Sequence, residues 1–177
     1  MQKKLDIAYL GHDILRSKTT RVDHIEDKAF QEFIDHMIYT VKAVNGLGIA
    51  APQVYKKDRV FIMASKPSER YPNAPTMAPI AIINPKIIKH SKTTTKDWEG
   101  CLSIPGIRGL VPRYNSITVK YTNRFGAQIN STFTGFIARI FQHEIDHLNG
   151  LVFLDRLETN KDIITESEYQ KIVNTSL

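Results

Sequence analysis

The segment FIARIFQHEIDHLN at 136–149 constrains the fold most, because its apolar residues recur at helical spacing on more than one face. This pattern, which stops at Asn149-Gly150, predicts a helix that is buried on several sides. His143 and His147 lie four residues apart in it and therefore one turn apart on the same face. Two imidazoles so placed bind one metal ion, and Glu144 beside them has the position of a general base. The segment predicts a buried metal-binding helix.

An open catalytic metal site needs a third protein ligand. One protease family places a histidine ten residues after the first histidine of this motif, but that position here is Phe153. Glu158, Glu166 and Glu168 follow in polar sequence and make unconvincing ligands. The chain's single cysteine, Cys101, lies in the Gly- and Pro-punctuated segment EGCLSIPG, whose backbone can approach a metal closely. Cys101 is therefore the favoured third ligand.

The remaining pattern predicts a second long helix and several short strands. Apolar residues at 27–44 have helical spacing and stop at Asn45-Gly46. A capping box at 165–168 predicts a short final helix. Strands are predicted at 60–64 and 80–85, with a Pro-rich surface loop at 65–79 between them, and a hairpin is predicted from 117–121 and 129–134.

Length and composition are those of one globular domain, which we expect to span 1–177. Hydrophobic residues make up 42% and charged residues 24%, far from the composition of a disordered chain. The net charge of +6 comes from scattered basic residues without a nucleic-acid-binding pattern, so we interpret it as a solvating excess. No sequence-specific nucleic acid binding is expected.

Neither a signal peptide nor a membrane-spanning apolar run is evident, so we expect a cytoplasmic protein.

Three motifs, in order along the chain, resemble the signatures of the peptide deformylase family. They are GLGIAAPQ at 46–53, EGCLS at 99–103 and QHEIDHLNG at 142–150, with weaker similarity in LVPRY at 110–114 and LVFLDRL at 151–157. The resemblance implies an α+β fold in which antiparallel strands surround a central metal-binding helix. It also implies a metallohydrolase that removes the formyl group from the N-terminal formyl-methionine of nascent polypeptides and releases formate.

The resemblance implies that Cys101, His143 and His147 hold one divalent metal ion. Fe²⁺ is the expected ion, with Zn²⁺, Ni²⁺ or Co²⁺ as replacements. Glu144 would act as the acid/base residue. The developing oxyanion would receive hydrogen bonds from the Gln53 side chain and from the Leu102 backbone N–H. The residues implied to bind the substrate are Leu47, Gly48, Gly100, Phe136 and Ile140.

Four further polar residues match the family motifs. Arg108 and Arg113 either face solvent or pair with Glu99. Asp146 and Ser103 are expected to form structural hydrogen bonds.

Two other hypotheses stay open on the residues alone. One is a zinc endopeptidase that uses His143, Glu144, His147 and an unidentified third ligand. The other is a noncatalytic module stabilised by metal. The expected partner is the formyl-methionyl nascent peptide, with no membrane. A transient ribosome contact is also an expectation, although the short C-terminal tail argues against docking through the longer terminal helix of some relatives.

Overall fold

The computed structural model describes residues 2–68, 71 and 73–175, with three α-helices and eight β-strands in that part of the chain. The helices are α1 (Lys28–Ala43), α2 (Gly135–Leu148) and α3 (Glu166–Thr175). The strands are β1 (Gly48–Ala50), β2 (Val60–Ser65), β3 (Met77–His90), β4 (Thr94–Cys101), β5 (Ile104–Tyr114), β6 (Ser116–Thr122), β7 (Gln128–Thr134) and β8 (Ile163–Thr165).

The strands form two antiparallel sheets, one with the order β1-β2-β3-β6-β7 and one with the order β4-β5-β8. Helix α2 contacts strands of both sheets, and α1 contacts β1, β2 and β3. Antiparallel strands therefore surround a central helix, as the resemblance implies.

The run VFIMAS of β2 is apolar on both faces because a helix packs on each. Phe61 and Met63 join the core around α2, whereas Val60 and Ile62 join the core around α1. Side chains of a strand alternate between the two faces of a sheet, so both sets are buried. A strand covered on both faces has a continuous apolar run rather than an alternating one.

The predicted long helices, the hairpin and the final helix are confirmed, with bounds within a few residues. Two predictions needed correction. The strand expected at 80–85 is the middle of the longer β3. The expected 65–79 loop is shorter than predicted, because β2 includes Ser65 and β3 begins at Met77. Residues 69, 70 and 72 of that loop lie outside the described residues.

Strands β4 and β5 were not predicted, and both lie beside the site. Four of the eight β4 residues, Thr94 to Asp97, are exposed polar residues, because β4 is at the edge of its sheet. Strand β5 contains Pro105 and Pro112, which resemble turn residues in a sequence. Among the described residues, no helix is both long enough and apolar enough to cross a membrane.

Candidate functional site

Three side chains with metal-binding atoms converge between α2 and the end of β4. Helix α2 presents His143 and His147, and Cys101 is the last residue of β4. Their ligand atoms all lie within 4.8 Å of one another. The Cys101 Sγ is 3.3 Å from Nε2 of His147, and the corresponding distance across a tetrahedral zinc site is about 3.6 Å. One thiolate and two imidazoles at these distances fit a single divalent transition metal.

Glu99 orients the His143 ring. Its Oε2 lies 2.9 Å from Nδ1 of His143, which leaves Nε2 for a metal. The carboxylate also accepts two hydrogen bonds from Arg113, at 2.9 and 3.0 Å, and one from Arg139 at 2.9 Å. Burial alone would raise the pKa of Glu99, but Arg113 and His143 lower it far below its ordinary value. Glu99 is therefore a buried anion, which the sequence analysis did not include among the site residues.

Arg113 links this anion to α2. Besides Glu99 it donates to Oδ2 of Asp146 at 2.6 Å. Asp146 also accepts from Arg156 at 2.6 and 3.0 Å. Of the two alternatives for Arg113, pairing with Glu99 is the one observed, and the expected structural role of Asp146 is confirmed.

The two histidines have opposite protonation tendencies. Burial, assisted by the charge on His143, lowers the pKa of His147 well below its ordinary value. Burial also lowers the pKa of His143, but its hydrogen bonds with Cys101 and Glu99 outweigh burial and raise that pKa well above the ordinary value. His143 therefore tends to hold a proton when no metal is bound. A bound metal ion would replace that proton, as metal binding does at thiolate–imidazole sites.

Glu144 lies in the cleft beside the ligand cluster with its side chain only 4% exposed. Burial raises its pKa to about 7, against the opposing influence of His143. Its Oε2 has no hydrogen-bond partner among the described residues. The carboxylate packs over the backbone of Gly48, where an added Cβ would lie 2.3 Å from Oε1. Glycine at position 48 thus makes room for this carboxylate.

The Gln53 side chain is buried rather than in an exposed loop. It lies on the 3₁₀ turn 51–54 that follows β1, and it is only 1% exposed. Its Oε1 accepts from the Ala50 N–H at 2.8 Å, which fixes the direction of the carboxamide. Nε2 then donates to Oγ of Ser103 at 3.2 Å and approaches Sγ of Cys101 at 3.4 Å. The expected structural hydrogen bond of Ser103 is therefore the one with Gln53.

A cleft of about 300 Å³ opens onto this cluster. It is lined by every residue predicted to be catalytic or to bind substrate, and also by Cys101 and His143. His147 lies behind these residues and is fully buried. Residues that line the cleft without having been predicted include Ser68, Tyr71, Trp98, Arg108, Arg139 and Glu166.

The surroundings of Arg108 match neither expected alternative, exposure to solvent or pairing with Glu99. It is buried, donates to Glu166 at 2.6 and 3.1 Å and donates to the Tyr71 hydroxyl at 2.5 Å. Of the glutamates considered as third ligands, Glu166 thus pairs with Arg108, and Glu158 and Glu168 pair with lysines. None of the three belongs to the Cys-His-His cluster.

Comparison with known proteins gives one consistent answer. The polypeptide deformylase family profile matches residues 4–162. A peptide deformylase 2 of a Nostoc species is 54% identical over 169 residues, covering 96% of this chain and 94% of the relative. A peptide deformylase 2 of Shewanella oneidensis is 45% identical over 87% of this chain and 84% of the relative.

Solved structures agree with these sequence relatives. The Met-Ala-Ser-bound class I type b peptide deformylase of Acinetobacter baumannii superimposes with a TM-score of 0.87 and 42% identity, covering 89% of this chain and 100% of that one. The peptide deformylase of Thermotoga maritima has a TM-score of 0.79 and 35% identity, covering 89% of this chain and 100% of that one. With the fold, the ligand cluster and the three motifs in agreement, this chain belongs to the polypeptide deformylase family.

Proposed function

We propose that this chain removes the formyl group from the N-terminal formyl-methionine of nascent polypeptides at the cluster of Cys101, His143 and His147. The observation that carries the proposal is the convergence of these ligand atoms within 4.8 Å, beside the buried Glu144 and at an open cleft. A closed structural site would need a fourth protein ligand. None joins this cluster among the described residues.

The proposed occupant is one divalent metal ion, Fe²⁺ by resemblance to the family, which Zn²⁺, Ni²⁺ or Co²⁺ can replace. A thiolate with two imidazoles accepts each of these ions. When bound, the metal would supply Lewis-acid polarisation of the formyl carbonyl and would lower the pKa of the attacking water. Metal analysis of protein purified without oxygen tests the assignment of iron.

Glu144 is the proposed proton carrier. It would accept a proton from the water that attacks the formyl carbon and would deliver it to the methionine nitrogen as the C–N bond breaks. Formate and a free amine are then the products. In the metal-free protein burial raises the pKa of Glu144 to about 7, which favours a carboxyl group that can hold the transferred proton.

Negative charge develops on the formyl oxygen during the attack. We propose that Nε2 of Gln53 and the backbone N–H of Leu102 donate to that oxygen. The Ala50 N–H fixes the orientation of the Gln53 carboxamide, so Nε2 stays beside Cys101 and can exchange its long contact with Sγ for the oxyanion.

We propose that the peptide binds as an extended strand between the two sheets. Strands β1 and β4 are each the outer strand of a sheet, and Gly48 and Gly100 line the cleft between them. Outer strands without side chains at the contact admit another backbone. The Leu47 carbonyl accepts from Ala64 at 2.8 Å, so we assign its substrate contact to its N–H. The methionine side chain would enter the apolar pocket of Leu47, Phe136 and Ile140.

The A. baumannii relative bound to Met-Ala-Ser supports this assignment, because that peptide begins with methionine. The rest of the proposal is one catalytic domain over 1–177, located in the cytoplasm where nascent chains emerge. A transient ribosome contact belongs to the same proposal.

Glu144→Gln tests the proposed chemistry while keeping the size of the side chain. At matched metal content, formate release from formyl-Met-Ala-Ser should fall about a hundredfold or more, as is typical for loss of an acid/base group. Metal binding should survive, because Glu144 is not in the ligand cluster. Near-normal turnover of this variant would contradict the proposed role.

A further inference from the structure

The two proposed oxyanion donors are carried by different sheets. Gln53 follows β1 of the five-stranded sheet, and Leu102 lies in the turn between β4 and β5 of the three-stranded sheet. No strand pairing connects these sheets among the described residues. The separation of the donors must therefore be set by contacts outside the sheets.

One segment that belongs to no helix or strand contacts both donor-bearing turns. The backbone N–H of Ala8 donates to the Gln53 carbonyl at 2.8 Å, and the N–H of Leu10 donates to the Ser103 carbonyl at 2.8 Å. We name residues 5–10 the strap. Two residues of chain span at most about 7 Å, so the N–H groups of Ala8 and Leu10 are close neighbours. The strap therefore holds the two turns at one spacing, in addition to the direct hydrogen bond from Nε2 of Gln53 to Oγ of Ser103.

The strap is itself anchored to the body of the protein. Leu5 N–H donates to Oγ1 of Thr40 on α1 at 2.9 Å, and the Tyr55 hydroxyl donates to the Ile7 carbonyl at 3.3 Å. Ala8 is fully buried, and Leu5 and Ile7 pack against the core around α1. These contacts fix the position of the strap on the body of the protein.

We propose that the strap is a positioning device for catalysis, in which the N–H groups of Ala8 and Leu10 set the distance between Gln53 and Leu102. This inference rests on the proposed function, in which those two residues donate to the oxyanion. The donors act in the transition state, so a change in their spacing lowers kcat and leaves substrate binding nearly unchanged. No strap side chain touches the substrate in this account.

Leu10→Pro removes the donor to Ser103, and Leu10→Ala is its matched control because it removes the side chain but keeps the N–H. The Leu10 side chain is 43% exposed, so its loss has little packing cost. Loss of a whole oxyanion donor costs about 10²–10³ in kcat, so a displaced donor should cost about tenfold. With formyl-Met-Ala-Ser as substrate, KM and metal content should stay within about twofold of the control. Equal kcat in both variants would overturn the proposal.

Repeating Leu10→Pro in a Gln53→Ala protein tests whether its effect on kcat acts through the oxyanion donors. In protein that already carries Gln53→Ala, the Leu10→Pro substitution should cause a smaller fold loss in kcat, because one of the two positioned groups is gone. The same fold loss in both backgrounds would assign the strap to some other part of the site and overturn the inference.

Hydrogen exchange separates this inference from the proposed function. Leu10→Pro should speed amide exchange at 50–55 and 99–104 but not in the β6–β7 hairpin, and Leu10→Ala should not. Unchanged exchange at 50–55 and 99–104 would overturn the proposal, whether or not the wild-type protein releases formate. Failure of the wild-type protein to release formate would instead refute the deformylase assignment. If Leu10→Pro does not fold, the α-hydroxy analogue of leucine at position 10 removes the same N–H and keeps the side chain.

Discussion

At the scale of single residues, the proposed role of Glu144 in catalysis conflicts with the stability of the metal-free protein. Its pKa is raised to about 7 in the fold, whereas an unfolded glutamate titrates near 4.3. The folded state therefore holds the proton more tightly than the unfolded state. The free energy of unfolding falls as the pH rises from the unfolded pKa to the folded pKa of Glu144. A raised pKa is useful for proton transfer, so the fold keeps a group that destabilises it above neutral pH.

Glu144→Gln should consequently stabilise the metal-free protein in a pH-dependent way. Glutamine stays neutral, so the free energy of unfolding of the variant should exceed that of wild type by an amount that grows from pH 5 to pH 8. The shift to about 7 sets an upper limit of about 4 kcal/mol on the gain. Denaturant midpoints of both proteins at several pH values measure it. A difference that is constant with pH would contradict the buried-carboxyl account.

Gly48 has a related role that a substitution can reveal. In Gly48→Ala, the added Cβ would lie 2.3 Å from Oε1 of Glu144 and 2.6 Å from its Cδ, so the carboxylate must move. We expect kcat to fall at least tenfold with metal content unchanged, because misplacing a catalytic group by about 1 Å can cost a hundredfold. Gly46→Ala is the control, since its Cβ would meet Cγ2 of Val41 at 3.1 Å and Cδ1 of Leu102 at an ordinary contact distance of 3.4 Å, and none of its three nearest atoms belongs to Glu144. Equal kcat values for the two variants would argue against this contact.

At the scale of elements, one buried ion network joins β4, β5 and α2. Arg113 of β5 pairs with Glu99 of β4 and with Asp146 of α2, and its own side chain is 5% exposed. Removing one partner of a buried ion pair leaves an uncompensated charge and costs about 3–5 kcal/mol. The network therefore fixes α2 against the strand that carries Cys101.

Arg113→Met and Arg156→Met separate the buried pair from the exposed one. Both arginines bind Asp146, but the Arg156 side chain is 45% exposed. We expect the first variant to lose about 3–5 kcal/mol of unfolding free energy and the second less than about 1 kcal/mol. Equilibrium denaturation of both variants measures these losses of unfolding free energy. Equal losses in the two variants would contradict the difference between the buried and the exposed arginine.

The sequence predicted α2 and the hairpin β6–β7 because their periodic patterns are strong and local. It missed β4 and β5, where an exposed edge and internal prolines hide the pattern. The same gap explains why Glu99 was not predicted as the partner of His143. Its pairing depends on β4 lying beside α2, which no local pattern records.

At the scale of the whole molecule, the two sheets form the walls of one cleft, and α2 lies between them. The three ordered motifs supply different parts of the site, namely β1 with the turn after it, the end of β4, and helix α2. They did not predict the strap or the Arg108–Glu166 pair, because backbone hydrogen bonds and distant ion pairs depend on tertiary structure.

The most direct test compares formyl-Met-Ala-Ser with acetyl-Met-Ala-Ser on one metal-loaded preparation of the full chain. The formyl hydrogen lets the carbonyl carbon enter the space between the ligand cluster, Gln53 and Leu102, whereas an acetyl methyl would displace the oxygen from its donors. We predict rapid formate release and at least a hundredfold slower release of acetate, with the difference largely in kcat, since oxyanion donors act in the transition state. Comparable rates for both peptides, or cleavage at an internal bond without formate, would contradict the account.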